Sequence, residues 1–117
     1  MKRVALSLFA ALMFMALPVA AETVDGLLID KMCSAKIVEK GGGAAKMHTK
    51  MCALMPDCKA SGYGVVTADG KYLKFDASGD KKATAALDGT DKKDNITVTV
   101  DGKVDGSSIA VTSLKIT

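Results

Sequence analysis

The segment NITVTVDGKV, residues 95–104, alternates apolar and polar side chains over its whole length and decides the fold of this chain. This period of two is typical of a β-strand with one buried face, because successive side chains point to opposite sides of a sheet. The inward series is Ile96, Val98, Val100, Gly102 and Val104. A glycine in such a series lets a long strand bend, as the closure of a small barrel requires.

A partner strand is predicted downstream, at residues 107–116, after the turn pair Asp105-Gly106. Its apolar positions change phase halfway along the strand: Ile109, Val111, Leu114 and Ile116. A strand of period two changes phase only through a bulge or a twist, so we expect a bulge near Thr112 and Ser113.

A hairpin is predicted upstream, because residues 63–68 and 71–76 flank Asp69-Gly70, a pair that favours a two-residue turn. This turn would pair Val66 with Leu73 and Gly64 with Phe75. The three apolar residues of these pairs would then share the core face.

A strand at residues 23–29 and a short helix at residues 80–87 complete the element order. We predict a mainly β fold, a small five-stranded OB-like barrel with a helical Cys/His insert after strand 1 and a short helix between strands 3 and 4. The alternative is a small five-stranded sheet with a helix across one face.

The first 21 residues are typical of an export signal. Lys2 and Arg3 precede an apolar run at residues 4–17, and Val19 and Ala21 are small residues of the kind that a signal peptidase reads. The run is shorter than the about 20 residues of a membrane-spanning helix, which disfavours an anchor. We expect cleavage after Ala21, a periplasmic or secreted protein, and no membrane attachment afterwards.

Residues 22–117 are then expected to form a single domain, with the helical insert at about residues 31–60. Loss of Lys2 and Arg3 lowers the count of basic residues from 16 to 14 against 13 acidic ones, a net charge of +1. This balance and the few aromatic side chains disfavour nucleic-acid binding. The partner is expected to be a protein or a small ligand, and the oligomeric state is left open.

The insert contains every cysteine of the chain and its only histidine: Cys33, His48, Cys52 and Cys58. A helix is predicted at residues 44–55, ended by Pro56, which would place His48 and Cys52 one turn apart on one face. Three cysteines and a histidine form a known zinc ligand set, and thiolates with thioethers suit Cu(I). We therefore predict that these four residues are metal ligands for Zn or Cu.

The same cysteines have a simpler interpretation, since exported proteins favour disulfides. Two of the three cysteines could pair, giving a purely structural, disulfide-stapled protein-interaction domain, or they could form a thiol redox sensor. The predicted helix carries methionines at every fourth position, Met47, Met51 and Met55. This spacing favours packing against the barrel core over a copper-binding stripe. No catalytic residues are predicted, because His48 and Cys52 lack a third orienting residue and there is no Cys-x-x-Cys pair, so the protein is not expected to be an enzyme.

The chain resembles a family of small exported bacterial proteins of unknown function. The resemblance rests on residues 26–33 (GLLIDKMC), His48, Cys52, Cys58, residues 61–64 (SGYG) and the closing hairpin rich in Val and Thr. It covers nearly all of residues 22–117. It implies an OB-like β-barrel with a Cys/His-bearing insert, shares Cys33, His48, Cys52 and Cys58 as its common feature, and implies no substrate.

Overall fold

The computed structural model describes residues 21–40 and 42–117. The predicted export signal, residues 1–21, lies outside the described residues apart from Ala21. Within the described part of the chain, no helix is both long enough and apolar enough to cross a membrane.

The described residues form ten elements in this order: β1 (Glu22–Asp30), α1 (Lys31–Lys40), α2 (Gly42–Met47), α3 (Lys50–Ala53), α4 (Pro56–Ser61), β2 (Tyr63–Thr67), β3 (Tyr72–Phe75), α5 (Ala77–Gly89), β4 (Thr97–Asp105) and β5 (Ser108–Ile116). The predicted order of five strands, an insert after the first and a helix between the third and fourth is confirmed. The fold is not mainly β, however, because strands and helices each take up about 40% of the described residues.

The five strands close into a ring in the order β1-β2-β3-β5-β4, with β4 pairing back onto β1. The ring is uneven. Antiparallel pairs join most neighbours, whereas β3 and β5 are parallel and meet only where Lys74 pairs with Ser108 and Phe75 with Ile109. The core inside the ring includes Leu28, Val98 and Val100.

The two C-terminal strands follow the predicted alternation. Ile96, Val98 and Val100 are buried, and the pairing register shifts between Asp101 and Gly102. Asp101 pairs with Ser113 and Gly102 pairs with Val111, so Thr112 is the additional residue of a bulge, as predicted. Gly102 is also required for close approach, because a Cβ there would collide with the carbonyl of Ala110.

The hairpin of β2 and β3 differs from the predicted register by one residue. Its loop has three residues, closed by a hydrogen bond from the N–H of Thr67 to the carbonyl of Lys71 (2.8 Å), and Gly70 supplies a positive φ of 83°. Val65 therefore pairs with Leu73, and Val66 pairs with Tyr72. The core face of β2 is formed by Tyr63 and Val65 instead of Val66, while Leu73 and Phe75 point into the core as predicted.

The insert packs on the outer face of β1 and β2. A second, smaller apolar cluster joins them: Ile29, Ile37, Ala45 and Val66. Val66 thus lies beneath the insert, which explains why both faces of β2 are buried. This cluster fixes the position of the insert on the ring.

The single helix predicted at residues 44–55 is wrong, because the chain is interrupted between α2 and α3. Thr49 is extended and its hydroxyl caps α3 by accepting from the N–H of Cys52 (3.1 Å). Backbone hydrogen bonds tie this segment to the residues before β4, from Asn95 to Lys46 (2.9 Å) and from Lys50 to Lys93 (2.8 Å). Tertiary pairing therefore replaces the helical hydrogen bonds there.

Two other expectations depended on that helix. Pro56 starts a helix, α4, where it was expected only to end one, in keeping with the preference of proline for the first helical position. The predicted core packing of the three methionines is also wrong, because their exposed fractions are high: Met47 79%, Met51 81% and Met55 54%. The interruption turns their side chains away from the ring.

Candidate metal centre

Asp30 forms the junction between β1 and α1. Its side chain is fully buried, and its Oδ2 accepts a hydrogen bond from the N–H of Cys33 at 3.0 Å. This contact is an N-cap, which satisfies one of the free N–H groups at the start of a helix. It also fixes the first turn of α1, and with it the thiol of Cys33, beside the carboxylate.

Cys58 enters the same region from α4, where it is the third residue of a helix that begins at Pro56. The hydroxyl of Ser61 joins the two helices, since it donates to the carbonyl of Cys58 (2.6 Å) and accepts from the N–H of Met32 (3.1 Å). The N–H of Lys31 adds a hydrogen bond to the carbonyl of Gly62 (2.8 Å). The start of α1 and the end of α4 are therefore held in a fixed relation.

These contacts bring three potential ligand atoms together. A carboxylate oxygen of Asp30 and the Sγ atoms of Cys33 and Cys58 all lie within 4.8 Å of one another, with Asp30 and Cys58 buried and Cys33 half-buried. Ligand atoms about 2.0–2.3 Å from one ion are separated by roughly 3.3–4.0 Å at tetrahedral or trigonal angles. Small side-chain rotations would suffice, so this group could hold a metal ion.

The charges in the group are set by burial and proximity. Burial alone would raise the pKa of Asp30, but the His48 imidazole and the N–H of Cys33 outweigh it and hold that pKa below its ordinary value. Burial, followed by the nearby Asp30 charge, raises the pKa of the Cys33 thiol to about 12 and also raises that of Cys58. Without an ion, the group at neutral pH contains one carboxylate and two protonated thiols.

His48 lies behind the carboxylate. Its side chain is 6% exposed, and its Nε2 is 2.7 Å from Oδ1 of Asp30. Neither His48 nitrogen nor Oδ1 has an aligned hydrogen-bond partner among the described residues. The close contact lies on the carboxylate oxygen that the N-cap does not use.

The four ligands predicted from the sequence are therefore not equivalent. The structure brings Cys33 and Cys58 together, and His48 reaches their group through Asp30. Cys52 is exposed and is not a member, because the interruption after α2 removes the helical spacing that would have placed it beside His48. All three cysteines are free thiols.

Asp30 was missed by the sequence analysis. The available signal was its position three residues before Cys33 at the end of a strand, where a capping aspartate puts its carboxylate against the backbone of the third helical residue. A scan against protein-family models, a search of curated proteins and a search of solved structures each found no match.

Proposed function

We propose that this protein is an exported binding module that holds one soft transition-metal ion, Zn²⁺ or Cu(I), at Asp30, Cys33 and Cys58. The observation that carries the proposal is the convergence of a buried carboxylate and two thiols, all within 4.8 Å of one another. Two sulfur donors favour a soft or borderline ion over Mg²⁺ or Ca²⁺, which prefer oxygen. An ion there would tie β1, α1 and α4 together, and no catalytic role is proposed.

The electrostatics support cation binding. The Asp30 carboxylate is ionised at neutral pH, so it attracts a cation into a region of low exposure. The thiols must lose their protons to become ligands, and an ion supplies the positive charge that makes this favourable. His48 is proposed to act through Asp30 by holding the carboxylate in place, as outer-shell partners do in metal sites.

The strand order supports the interpretation of the ring as an OB-type barrel. A closed five-stranded sheet in the order β1-β2-β3-β5-β4, with a helix between β3 and β4, is the arrangement expected for that architecture. We infer that the barrel is a scaffold and that the insert carries the binding function. The partner is proposed to be a small ligand or a protein.

A second candidate function rests on the same proximity. The Sγ atoms of Cys33 and Cys58 lie within 4.8 Å of each other but not at bonding distance, so a disulfide would require both side chains to move. Exported proteins meet the oxidising conditions under which such a bond forms. The bridge would staple α1 to α4 or act as a redox-sensing pair. It would consume both thiols and so exclude the metal-binding role.

Native mass spectrometry of the chain recovered from the extracytoplasmic fraction, followed by titration with Zn²⁺ and Cu(I), tests the proposal. We expect one ion per chain for the wild type and for the control Cys52→Ser, whose thiol lies outside the group. Cys33→Ser and Cys58→Ser should each lose most of the binding. A chain about 2 Da lighter than its reduced form that binds no ion, in the Cys52→Ser background, would favour the disulfide.

A further inference from the structure

Met32 is a large apolar side chain that is 55% exposed, although it lies between two buried or half-buried residues of the candidate metal centre. Its sulfur has a specific neighbour. The thiol of Cys58 is directed at the Sδ of Met32 at a distance of 3.9 Å. Among the described residues, this is the methionine whose sulfur contacts a cysteine of the centre.

The distance between the two sulfurs agrees with a shared ion. Two sulfur ligands about 2.3 Å from one metal lie about 3.8 Å apart at a tetrahedral angle and about 4.0 Å apart at a trigonal angle. The separation of 3.9 Å falls between these values. Met32 and Cys58 are therefore spaced as two ligands of one ion without further movement of either sulfur.

The backbone holds the two residues in this relation. The N–H of Met32 donates to Oγ of Ser61 (3.1 Å), and the same hydroxyl donates to the carbonyl of Cys58 (2.6 Å). One side chain thus bridges the two main chains. The packing of α1 on α4 therefore holds the two main chains close enough for the sulfurs to meet, and the side-chain conformation of Met32 brings its Sδ to Cys58.

We infer that Met32 is a further ligand of this centre and that its thioether makes the centre selective for Cu(I). The inference rests on the proposed metal-binding function of Asp30, Cys33 and Cys58. A neutral thioether is a soft donor that suits Cu(I), whereas Zn²⁺ in proteins is bound by thiolates, imidazoles and carboxylates. Two thiolates and the thioether would give Cu(I) three sulfur ligands, with the Met32 side at the protein surface.

Competition with bicinchoninate in anaerobic, ascorbate-containing buffer measures the Cu(I) affinity. All chains carry Cys52→Ser, so that the exposed thiol does not bind copper. We expect Met32→Leu to weaken Cu(I) binding at least about tenfold. Loss of an outer-shell partner already lowers metal affinity by about this factor, and loss of a direct ligand should lower it at least as much. Met55→Leu is the matched control, since Met55 is 54% exposed and lies outside the centre, and it should leave the Cu(I) affinity unchanged.

The Zn²⁺ affinity of Met32→Leu should equal that of the parent chain that carries only Cys52→Ser, and this equality separates a lost ligand from a damaged fold. A spectrum of ¹³C-methyl-labelled methionine gives a direct readout. The resonance that is absent from Met32→Leu should shift much further on addition of one equivalent of Cu(I), which binds the Met32 sulfur, than on addition of Zn²⁺, which binds only its neighbour Cys58.

The failure of this inference can be distinguished from the failure of the proposed function. Equal Cu(I) affinities for Met32→Leu and the Cys52→Ser parent, together with weak binding by Cys33→Ser, would overturn the role of Met32 and leave the metal centre intact. Unchanged binding by both Cys33→Ser and Cys58→Ser would overturn the metal centre itself.

Discussion

The Asp30 carboxylate uses its two oxygens for different purposes. Oδ2 caps α1 through the N–H of Cys33, and Oδ1 faces the imidazole of His48. A structural aspartate would need only the first contact. The second keeps a negative charge next to the half-buried thiol of Cys33 and the buried thiol of Cys58, whose pKa values are raised first by burial and then by that charge.

The substitution Asp30→Asn separates the capping of α1 from the negative charge beside the thiols. Asparagine caps helices about as well as aspartate, so α1 should persist, while the negative charge is removed. The pKa of the Cys33 thiol is raised to about 12 by burial first and by Asp30 second, and we expect it to fall by the part due to Asp30. The thiolate absorbance of the metal-free Cys52→Ser chain, followed against pH, measures this.

Asp76→Asn is the control for this substitution. Asp76 caps α5 in the same way, by accepting from the N–H of Gly79 at 3.0 Å. It should leave the thiol titration unchanged. A titration that is identical in the Asp30→Asn and wild-type chains would show that burial alone raises the thiol pKa.

At the scale of elements, the short break between α2 and α3 determines which side chains reach the metal centre. Thr49 ends the break by capping α3, so Thr49→Ala should lower the free energy of unfolding by about 1 kcal/mol. Thr49→Ser retains the hydroxyl and should stay close to wild type. The sign of this change distinguishes a cap from a mid-helix position, because alanine in the middle of an uninterrupted helix would raise the free energy of unfolding. Urea unfolding of the three chains decides it.

The elements that were predicted correctly are those whose pattern is local. The alternation of β4 and the phase change at Thr112 follow from side-chain period alone, and the structure has both. The break at His48 and Thr49 depends on pairing with residues 93–95, which are distant in sequence. The register of β2 was missed because Asp69-Gly70 favours a two-residue turn but also fits a three-residue loop in which Gly70 has a positive φ. The convergence of Cys33 and Cys58 did not depend on the pairing register of any strand, so it could be predicted from the sequence.

At the scale of the whole molecule, several ionisable side chains are buried or half-buried in their neutral forms. Tyr63 lies in the ring core and donates to the carbonyl of Ala53 (2.7 Å), while Tyr72 lies beneath the insert and donates to the carbonyl of Ile29 (3.1 Å). Burial raises the pKa of Tyr63 to about 12 and also raises that of Tyr72. The thiols of Cys33 and Cys58 have raised pKa values as well. Ionisation of these thiols and of the two tyrosines is therefore disfavoured in the folded chain.

Alkaline pH should consequently destabilise the metal-free, reduced protein. A thiol in the unfolded chain loses its proton near pH 9.0 and a tyrosine near 10.0, whereas Cys33 and Tyr63 in the folded chain keep theirs until about 12. The unfolded state then binds fewer protons, so the free energy of unfolding decreases as pH rises. This stabilisation is fully present below pH 9.0 and is lost progressively toward pH 12.

Urea unfolding at about pH 8 and about pH 10.5 measures the decrease. Replacing both Cys33 and Cys58 by serine should make it smaller, because the thiol contribution disappears and the tyrosine contribution is retained. The control Cys52→Ser should show the wild-type decrease, since Cys52 is exposed and outside the buried group. A free energy of unfolding that is constant or rises between these two pH values would mean that the thiols and phenols ionise as freely in the folded chain as in the unfolded one. Burial would then not be the cause of the raised pKa values of Cys33 and Tyr63.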